Sequence, residues 1–348
     1  MTAESIAIVG PGRMGVGIAT AVLMANQGYT ATLIDTKKRQ PGKENEALDS
    51  AREEVNANLE LLDGLEMLHG DAATLSAALG VSTGLEQTIA GCSFVFEALP
   101  EKVTIKQDFY RAIGPHMDKD TVLASATSTF HLDVFWDVCT RPGNVVSAHW
   151  LNPAFLIPLV EVTHGEKTHE WASDGMCDFL RSIGKTPVKM KTSPGFIVPR
   201  IQAAAMNEAI RILQEGVTTA QEIDTAIKAG FGFRLAVMGL IEFVDLGGVD
   251  ILFHAGEYLH NKLGGDQFKP PQLVREKMAR EEMGPRTDKG FYDYKDVDTR
   301  KLFHEKYMGF AELLHLYERS KYLNFAGGIA VDAPPGTDPT TAKRKDKP

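Results

Sequence analysis

The sequence predicts an α/β fold in which a doubly wound, mainly parallel sheet is followed by an all-α C-terminal domain. Two observations predict it. Up to about residue 190, short apolar runs rich in β-branched residues alternate with amphipathic helical segments, the pattern of strands joined by crossover helices. Beyond that point, helical segments follow one another without convincing strands.

Seven strands are predicted in the first part of the chain, each a short apolar run bounded by turn residues. In chain order they are Ser5–Val9, Thr30–Ile34, Ser93–Phe96, Thr121–Ala124, Val145–His149, Leu159–Thr163 and Pro187–Lys189. Helical segments are predicted at Gly15–Ala25, from Pro41 to about Leu79, and around Lys106–Ile113.

The second part of the chain is predicted to be helical at Ile201–Glu215, Ala220–Ala229 and Ala236–Leu263, with one more helix at about Asp298–Leu323. The predicted domains are therefore residues 1–190, which contain the sheet, and the all-α residues 191–295. Residues 296–348 are predicted to form a C-terminal helix and a tail. The tail, from Gly327, is expected to be mobile because of its composition.

Composition narrows the classes of function. The 348 residues are 43% hydrophobic and 24% charged, and 37 Lys and Arg against 46 Asp and Glu give a net charge of −9. Such a chain is a poor general binder of nucleic acid or of an anionic membrane. The sequence has no run of about 18 apolar residues and no signal-peptide pattern, so a cytoplasmic protein is expected. Three scattered cysteines, Cys92, Cys139 and Cys177, fit neither a disulfide framework nor a zinc site, and no metal is expected.

The first predicted strand is followed by a glycine-rich turn, Gly10-Pro-Gly12-Arg13-Met14-Gly15. GxGxxG spacing between a strand and a helix is typical of a Rossmann-type dinucleotide site. Gly10 permits the tight turn, Gly12 lets the backbone approach a pyrophosphate, and Gly15 lets helix and strand pack closely. The N–H groups at the start of the helix, around Arg13 and Met14, are then expected to face the diphosphate.

The next predicted strand ends at Asp35, twenty residues beyond Gly15. A carboxylate at this place hydrogen-bonds the adenosine ribose and repels a 2′-phosphate, so NAD rather than NADP is the expected cofactor. Lys37, Lys38 and Arg39 follow closely and leave the strength of this preference open.

Five further segments occur in a recognisable order. They are Ser125–Thr129 (SATST), His149–Pro153 (HWLNP), Leu159–Val162 (LVEV), Pro194–Val198 (PGFIV) and Gly290–Tyr294 (GFYDY). With the glycine turn, they resemble the 3-hydroxyacyl-CoA dehydrogenase family, which has an HxxNP…VEV segment, an SxTSS-like turn and a PGF(I/V)xNR segment opening its helical domain. The resemblance runs from the N-terminus to Tyr294.

The resemblance implies roles for six residues. His149 corresponds to the family's general base and Glu161 to the carboxylate paired with it. Ser128 corresponds to the serine near the substrate hydroxyl, and Asn152 to the motif's asparagine. Glu101 and Lys106 match residues lining the nicotinamide side of the cofactor site. The family also implies a homodimer that forms through the helical domain. Ser128 equally suits a turn or a helix cap, and that alternative stays open.

The chemistry of the His149 and Glu161 pair also follows from the residue types. Removal of hydride from a secondary alcohol requires a base for the hydroxyl proton, and imidazole titrates near neutral pH. A carboxylate orients the ring and stabilises the imidazolium that forms. In the reverse direction the same imidazolium protonates the developing alkoxide.

The sequence departs from the family where the asparagine after PGF(I/V)x is replaced by Pro199. Proline has neither a side-chain amide nor a backbone N–H, so it cannot take over that role. Asn207, two helical turns further on, is a candidate for presenting an amide from the same helix face.

A second departure concerns Asp49–Glu66, the region in which the family meets the CoA nucleotide with serine and basic residues. One arginine, Arg52, stands there against six acids: Asp49, Glu53, Glu54, Glu60, Asp63 and Glu66. An acidic face is a poor docking surface for the phosphates of CoA. The alternative is that the acids face solvent and a Lys or Arg elsewhere meets the phosphate.

A third departure is Gly232–Gly239 (GFRLAVMG), where acyl-CoA enzymes read more like GYPMGP. A basic residue here resembles family branches that act on free hydroxy acids or other small alcohols, such as gulonate, carnitine or a pyridine carboxylate from vitamin B6 breakdown. Arg234 is then expected to bind a substrate carboxylate as a bidentate pair. The alternative is an ion pair between Arg234 and Glu242 or Asp245.

The expected function is therefore NAD-dependent interconversion of a secondary 3-hydroxy group and a ketone, on a small hydroxy acid or a related non-CoA alcohol. Within the family, the alternative is a short-chain L-3-hydroxyacyl-CoA dehydrogenase acting on 3-hydroxybutyryl-CoA. The alternative from another class is a catalytically silent NAD-binding or structural protein. The joint presence of His149, Glu161 and Ser128 argues against that last alternative.

Overall fold

A computed structural model describes residues 4–320 and 322–325 of the chain. The chain divides into two compact units, with the boundary between Ala205 and Met206. In the described part, no helix is both long enough and apolar enough to cross a membrane. The tail predicted from Gly327 lies outside the described residues.

The first unit is built on one twisted sheet. Its strands are β1 Ser5–Val9, β2 Thr30–Ile34, β3 Leu79–Ser82, β4 Phe94–Glu97, β5 Val122–Ser125, β6 Val145–Trp150, β7 Leu159–His164 and β8 Thr186–Lys191. Within the described residues these eight strands pair in the order β3-β2-β1-β4-β5-β6-β7-β8. Neighbours are parallel except β6 and β7, which are antiparallel. The predicted doubly wound, mainly parallel sheet is confirmed.

Helices cover both faces of this sheet. They are α1 Arg13–Met24, α2 Glu46–Gly64, α3 Ala72–Ala77, α4 Leu85–Ile89, α5 Val103–Ile113, α6 Asp133–Trp136 and α7 Glu170–Ser182. On one face, α1, α2 and α7 bury a core that includes Ile8 and Phe96. On the other face, α5 and α6 bury a second core that includes Val9, Tyr110 and Phe135. Burial on both faces explains why the strands read as nearly continuous apolar runs.

The helical stretch predicted from Pro41 to Leu79 proves to be two helices and the start of a strand. Asp71 caps α3 by accepting a hydrogen bond of 2.8 Å from the backbone N–H of Thr74. The chain then enters β3, the edge strand beside β2. At Gly80 within β3, a Cβ would lie 2.7 Å from Thr32 Oγ1. Glycine is thus needed for close packing, although it weakens the strand signal in the sequence.

The second unit is helical, as predicted. The helices of the rest of the described chain are α8 Val198–Gln214, α9 Ala220–Ala226, α10 Phe233–Leu235, α11 Leu240–Gly247, α12 Val249–Leu263, α13 Gln272–Ala279 and α14 Thr299–Arg319. A π-helical turn, Ile227–Gly232, joins α9 to α10. The single helix predicted over Ala236–Leu263 is wrong, because Gly248 has a φ of +106° and separates α11 from α12. That backbone conformation cannot continue a right-handed helix.

Candidate active site

The glycine turn after β1 has the local geometry of a nucleotide-binding loop. Gly10 has a φ of +111°, and a Cβ here would lie 2.5 Å from the carbonyl oxygen of Ala98. A Cβ at Gly15 would collide with the carbonyl oxygen of Gly10. Both positions therefore require glycine. At Gly12, by contrast, a Cβ would meet nothing within 4 Å, so the backbone borders open space in which a ligand can approach it closely.

A cavity of about 750 Å³ lies beside this turn. Its lining includes five of the predicted cofactor residues, Gly10, Gly12, Arg13, Met14 and Asp35. The remaining glycine of the motif, Gly15, lies within α1 and is buried, as a packing role requires. Within the described residues no side chain caps the start of α1, and its first N–H groups are therefore available to an anionic ligand.

Asp35 lies at one end of this cavity with its carboxylate already engaged. The residue is 5% exposed. Its Oδ1 accepts a hydrogen bond of 3.0 Å from the backbone N–H of Lys37. Its Oδ2 lies 2.8 Å from both Nε and Nη2 of Arg39, which also lines the cavity. The sequence predicted a cation near Asp35 but not a direct ion pair.

A buried ion pair lies next to the cavity wall. Lys106 is 1% exposed, and its Nζ lies 2.8 and 2.9 Å from the two carboxylate oxygens of Glu97, at the end of β4. Ser125 also donates to Glu97, at 2.7 Å. Burial raises the pKa of the Glu97 carboxyl, and the nearby charge of Lys106 offsets part of that rise. Glu97 was missed in the sequence, although a glutamate closing an apolar strand is a signal for a buried partner.

Through Glu101, Lys106 also connects Glu97 to the turn that carries Ser128. Its Nζ lies 3.3 Å from Glu101, whose side chain is 39% exposed. Glu101 Oε1 in turn accepts hydrogen bonds from Thr127 Oγ1 and from the backbone N–H of Ser128, the latter at 3.2 Å. Three of the predicted site residues are thus brought together. Ser128 itself is exposed, while Lys106 is the buried member that holds Glu101.

His149 and Glu161 face each other across the antiparallel pair of strands β6 and β7. His149 Nδ1 lies 2.7 Å from Glu161 Oε2, and the two residues are 5% and 0% exposed. The ring of Phe196 stacks on the imidazole, with centroids 5.1 Å apart. Within the described residues, His149 Nε2 makes no hydrogen bond and is the nitrogen left for a substrate. Phe196, the third residue of the PGFIV segment, was not predicted as a site residue.

Glu161 is held by more than the imidazole. Its Oε1 accepts hydrogen bonds from the backbone N–H groups of Ile197 and Val198, at 2.9 and 2.8 Å. Burial acts to raise the pKa of this carboxyl, but the hydrogen bonds from His149, Val198 and Ile197 outweigh it, and the pKa lies below its usual value. An ionised carboxylate is an acceptor only, so Glu161 favours the tautomer of a neutral His149 ring that carries its hydrogen on Nδ1.

The remaining predicted residues are less tightly held. Asn152, three residues beyond His149, is exposed. Pro199 lies in the first turn of α8, where a missing N–H breaks no helical hydrogen bond. Asn207 is exposed on the same helix.

Arg234 lies in the second unit, directly after the π-helical turn, and is exposed. Its guanidinium lies over the ring of Phe243, 5.3 Å from the centroid. Neither carboxylate considered as its partner is available. Glu242 lies 2.6 Å from Lys306, and Asp245 is buried and accepts from the backbone of the GFYDY segment and from Tyr294. The alternative of a structural ion pair is therefore wrong.

A doubly wound sheet with this glycine turn and cavity belongs to the class of Rossmann-type, dinucleotide-dependent dehydrogenases. The match extends to a particular family. Residues 5–193 match the NAD binding domain of 3-hydroxyacyl-CoA dehydrogenase, and residues 195–294 match its C-terminal domain. The chain belongs to the 3-hydroxyacyl-CoA dehydrogenase family of NAD-dependent oxidoreductases acting on CH–OH groups.

Relatives in this family differ in the substrates that their names record. The chain is 30% identical over 307 residues to 5-formyl-3-hydroxy-2-methylpyridine 4-carboxylate 5-dehydrogenase of Mesorhizobium japonicum, covering 87% of this chain and 94% of the relative. It is also 30% identical over 287 residues to a probable 3-hydroxybutyryl-CoA dehydrogenase of Deinococcus radiodurans, covering 82% and 99%. A crystal structure of 3-hydroxyacyl-CoA dehydrogenase from Archaeoglobus fulgidus has a TM-score of 0.72 and 26% identity, covering 91% of this chain and 100% of that one.

Proposed function

We propose that the protein interconverts a secondary 3-hydroxy group and a ketone, with His149 as the acid and base and Glu161 as its partner. The substrate is a small hydroxy acid or a related non-CoA alcohol. The observation that carries the chemistry is the buried contact of 2.7 Å between His149 Nδ1 and Glu161 Oε2. Glu161 is in turn fixed by two backbone N–H groups, so the imidazole is held in one orientation and one tautomer.

The protein's own residues account for the movement of the proton. In oxidation, His149 Nε2 accepts the proton of the substrate hydroxyl, and the imidazolium is stabilised by the carboxylate of Glu161. In reduction, the same Nε2–H donates to the developing alkoxide. Ser128 is exposed on a turn fixed by Glu101 and is proposed to hydrogen-bond the reacting oxygen, with Asn152 beside the same group.

The residues present fit NAD as the cofactor. The open space at Gly12, the uncapped start of α1 with Arg13 and Met14, and Asp35 would hold the diphosphate and the adenosine ribose. Glu101 is assigned to the nicotinamide end, and the buried Lys106 is assigned the role of holding Glu101 there. When bound, NAD accepts a hydride from the carbon that carries the hydroxyl.

The preference for a non-CoA substrate rests on charge. Arg234 has no carboxylate within ion-pair distance among the described residues, so its fork of donors is available to a carboxylate ligand. The six acids of Asp49–Glu66 are all exposed and make this region a poor surface for the phosphates of CoA. Their exposure is equally what the alternative expects, in which a Lys or Arg elsewhere meets the phosphate. A relative that is 30% identical is named for a pyridine carboxylate. The alternative, a 3-hydroxybutyryl-CoA dehydrogenase, is favoured by the name of another relative at the same identity.

Steady-state oxidation of free 3-hydroxy acids and of 3-hydroxybutyryl-CoA tests the proposal. A formyl-pyridine carboxylate is an aldehyde rather than a secondary alcohol, and it tests instead the reaction for which one relative is named. We expect turnover of an acid. Arg234→Met should lower kcat/KM for that acid by about 10- to 150-fold, which corresponds to the loss of a hydrogen bond to a charged group, about 1.5–3 kcal/mol. Arg300→Met, an exposed arginine on α14, is the matched control and should be silent. Efficient turnover of the thioester with none of the acids contradicts the substrate assignment. NAD binding without turnover of any of these compounds would favour the alternative of a catalytically silent NAD-binding or structural protein.

We also propose that the chain forms a homodimer through its helical region. Met206, Ile210 and Leu213 are 62%, 55% and 38% exposed and recur on one face of α8, an apolar stripe that requires a covering surface. Light scattering should give the mass of two chains. Met206→Glu combined with Ile210→Glu should shift the mass to one chain, while Leu65→Glu, an exposed leucine of the first unit, should not. A wild-type monomer contradicts the proposal.

A further inference from the structure

The adenosine end of the nucleotide cavity carries an unexpected balance of charge. Asp35 is the only carboxylate in the described lining of this cavity, and three cationic residues, Arg13, Lys37 and Arg39, line it as well. Arg39 directs both Nε and Nη2 at the same carboxylate oxygen, each at 2.8 Å. The negative charge of Asp35 is therefore outnumbered by the positive charges of the lining and is directly paired with one of them, that of Arg39.

This arrangement differs from what strict selection of NAD requires. Discrimination against NADP depends on a carboxylate whose charge repels the 2′-phosphate while it accepts a hydrogen bond from the ribose hydroxyl. At Asp35 that charge is compensated by a guanidinium at ion-pair distance. Because opposite charges so close together cancel most of each other's field at longer range, the repulsion is largely removed.

Arg39 also has hydrogen-bond donors that its contact with Asp35 does not use. Its side chain is 30% exposed, against 4% for Asp35. Within the described residues Nη1 makes no hydrogen bond, so one edge of the guanidinium is open to a ligand. A planar guanidinium matches the geometry of phosphate oxygens and can bind them while it remains in contact with Asp35.

We propose that Arg39 is a specificity-determining residue for the cofactor, and that it adapts the ribose end of the cavity to the 2′-phosphate of NADP as well as to NAD. The proposal rests on the assignment of this cavity to the cofactor's adenosine. NAD remains the better cofactor, because Asp35 still accepts from a ribose hydroxyl, but NADP is bound and used. Lys37 adds positive charge at the same end.

Adenosine nucleotides test this without any substrate. Binding of 5′-AMP and of 2′,5′-ADP is measured by displacement of NADH fluorescence, for the wild type and for Arg39→Met, Arg39→Lys and Lys38→Met. We expect wild-type Kd values for the two nucleotides within about tenfold of each other. Arg39→Met should weaken 2′,5′-ADP by about 10- to 100-fold, as for a charge-assisted contact, and 5′-AMP by less than about threefold. Arg39→Lys should restore part of the loss.

Lys38→Met is the matched control, since Lys38 is the exposed neighbour of Arg39 and is not among the lining residues. It should leave both nucleotides unchanged. The proposal is overturned if the wild type binds 5′-AMP but not 2′,5′-ADP, or if Arg39→Met weakens both equally, which would mean that Arg39 only stacks on the adenine. If neither nucleotide displaces NADH, the assignment of the adenosine to this cavity also fails. Failure to turn over any hydroxy acid leaves these binding results unaffected, so the two proposals fail separately.

Discussion

The nucleotide cavity and the His149–Glu161 pair lie in the same unit but are built in different ways. The cavity is lined by the glycine turn together with residues such as Leu99 and Ile105, and two of its charged side chains, Asp35 and Arg39, compensate each other. The proposed catalytic pair consists of two buried side chains on neighbouring strands, with the carboxylate held by the imidazole and by two backbone N–H groups. Many weak contacts would bind a ligand in the cavity, whereas the contact between His149 and Glu161 dominates the second region.

This difference predicts how the two regions respond to substitution. A side-chain change in the cavity removes one contribution among many and should alter affinity or preference by modest factors. A change in the pair removes the base itself or the group that orients it, and the effect should be large and confined to the chemical step. The following predictions test that contrast from the largest effect to the smallest.

Replacement of His149 should have the largest effect. His149→Ala should lower kcat by about 10²–10⁴-fold, the usual contribution of a general acid and base, while the Kd for NADH changes little. Stopped-flow or steady-state rates on the true substrate, together with NADH fluorescence, measure the two quantities. His164→Ala, at the end of β7, serves as the control and should keep wild-type turnover. Near-normal kcat in His149→Ala would remove the basis for the proposed dyad.

Glu161→Gln should have an effect that is no larger than this and is likewise confined to catalysis. The backbone N–H groups of Ile197 and Val198 hold the amide oxygen, so the amide NH2 faces His149 and favours the tautomer with its proton on Nε2. We expect kcat to fall by up to about 10⁴-fold, as when the carboxylate that orients a catalytic histidine is changed to an amide. Because the pKa of Glu161 lies below its usual value, the wild-type carboxylate stays ionised through mildly acidic pH. A variant with wild-type kcat between pH 6 and pH 8 would show that the carboxylate is only structural.

Asp35→Ala should change preference rather than rate. Loss of the carboxylate removes a ribose contact and the negative charge beside the 2′-phosphate, so the ratio of kcat/KM for NAD to that for NADP should fall by about tenfold, equivalent to about 1.4 kcal/mol. The same ratio measured for the wild type must favour NAD. Equal values for the two cofactors in the wild type would contradict the role assigned to Asp35.

The sequence predicted the class of each region better than its detailed contacts. The glycine turn, Asp35 and the HxxNP…VEV segments were recognisable because each depends on local spacing. The cross-strand contact of His149 with Glu161 was expected as a pairing, but its geometry depends on the antiparallel register of β6 and β7, which the predicted strands did not specify. Glu97 was missed because its partner, Lys106, approaches through the packing of α5 against the sheet.

Errors in the helical unit have a similar physical origin. The run from Ala236 to Leu263 has helical periodicity, but it contains the pair Gly247-Gly248. A Gly-Gly dipeptide is a turn signal, which the predicted single helix did not take into account. Gly248 adopts a positive φ and ends α11. A Cβ at Gly248 would lie 2.5 Å from Arg286 Nη2 and from Asp250 Oδ1. These contacts come from the folded structure, and sequence periodicity does not report them.

The smallest effect expected concerns Lys185, a buried charge that contrasts with both regions because it has no opposite charge beside it. Its Nζ donates to the carbonyls of Phe155 and Ile157 at 3.1 and 3.0 Å, in the loop that joins the strands of His149 and Glu161. Within the described residues no carboxylate lies at ion-pair distance from Lys185, and burial lowers the pKa of its ammonium to about 8 from an ordinary 10.5.

Between these two pKa values the unfolded chain holds the proton and the folded chain releases it, so this residue makes the free energy of unfolding rise as the pH increases from about 8 to about 10. Lys185→Met should lack that rise. After screening by solvent, the difference should be about 1 kcal/mol or less. Urea unfolding at pH 7.5 and 9.5 measures it, by comparing the change with pH in the wild type and in the variant. Lys189→Met is the control, because its ammonium pairs with Asp174 at 2.6 Å and hydrogen bonding to that carboxylate raises the pKa of Lys189. Wild-type pH dependence in Lys185→Met would show that this ammonium is hydrated rather than buried.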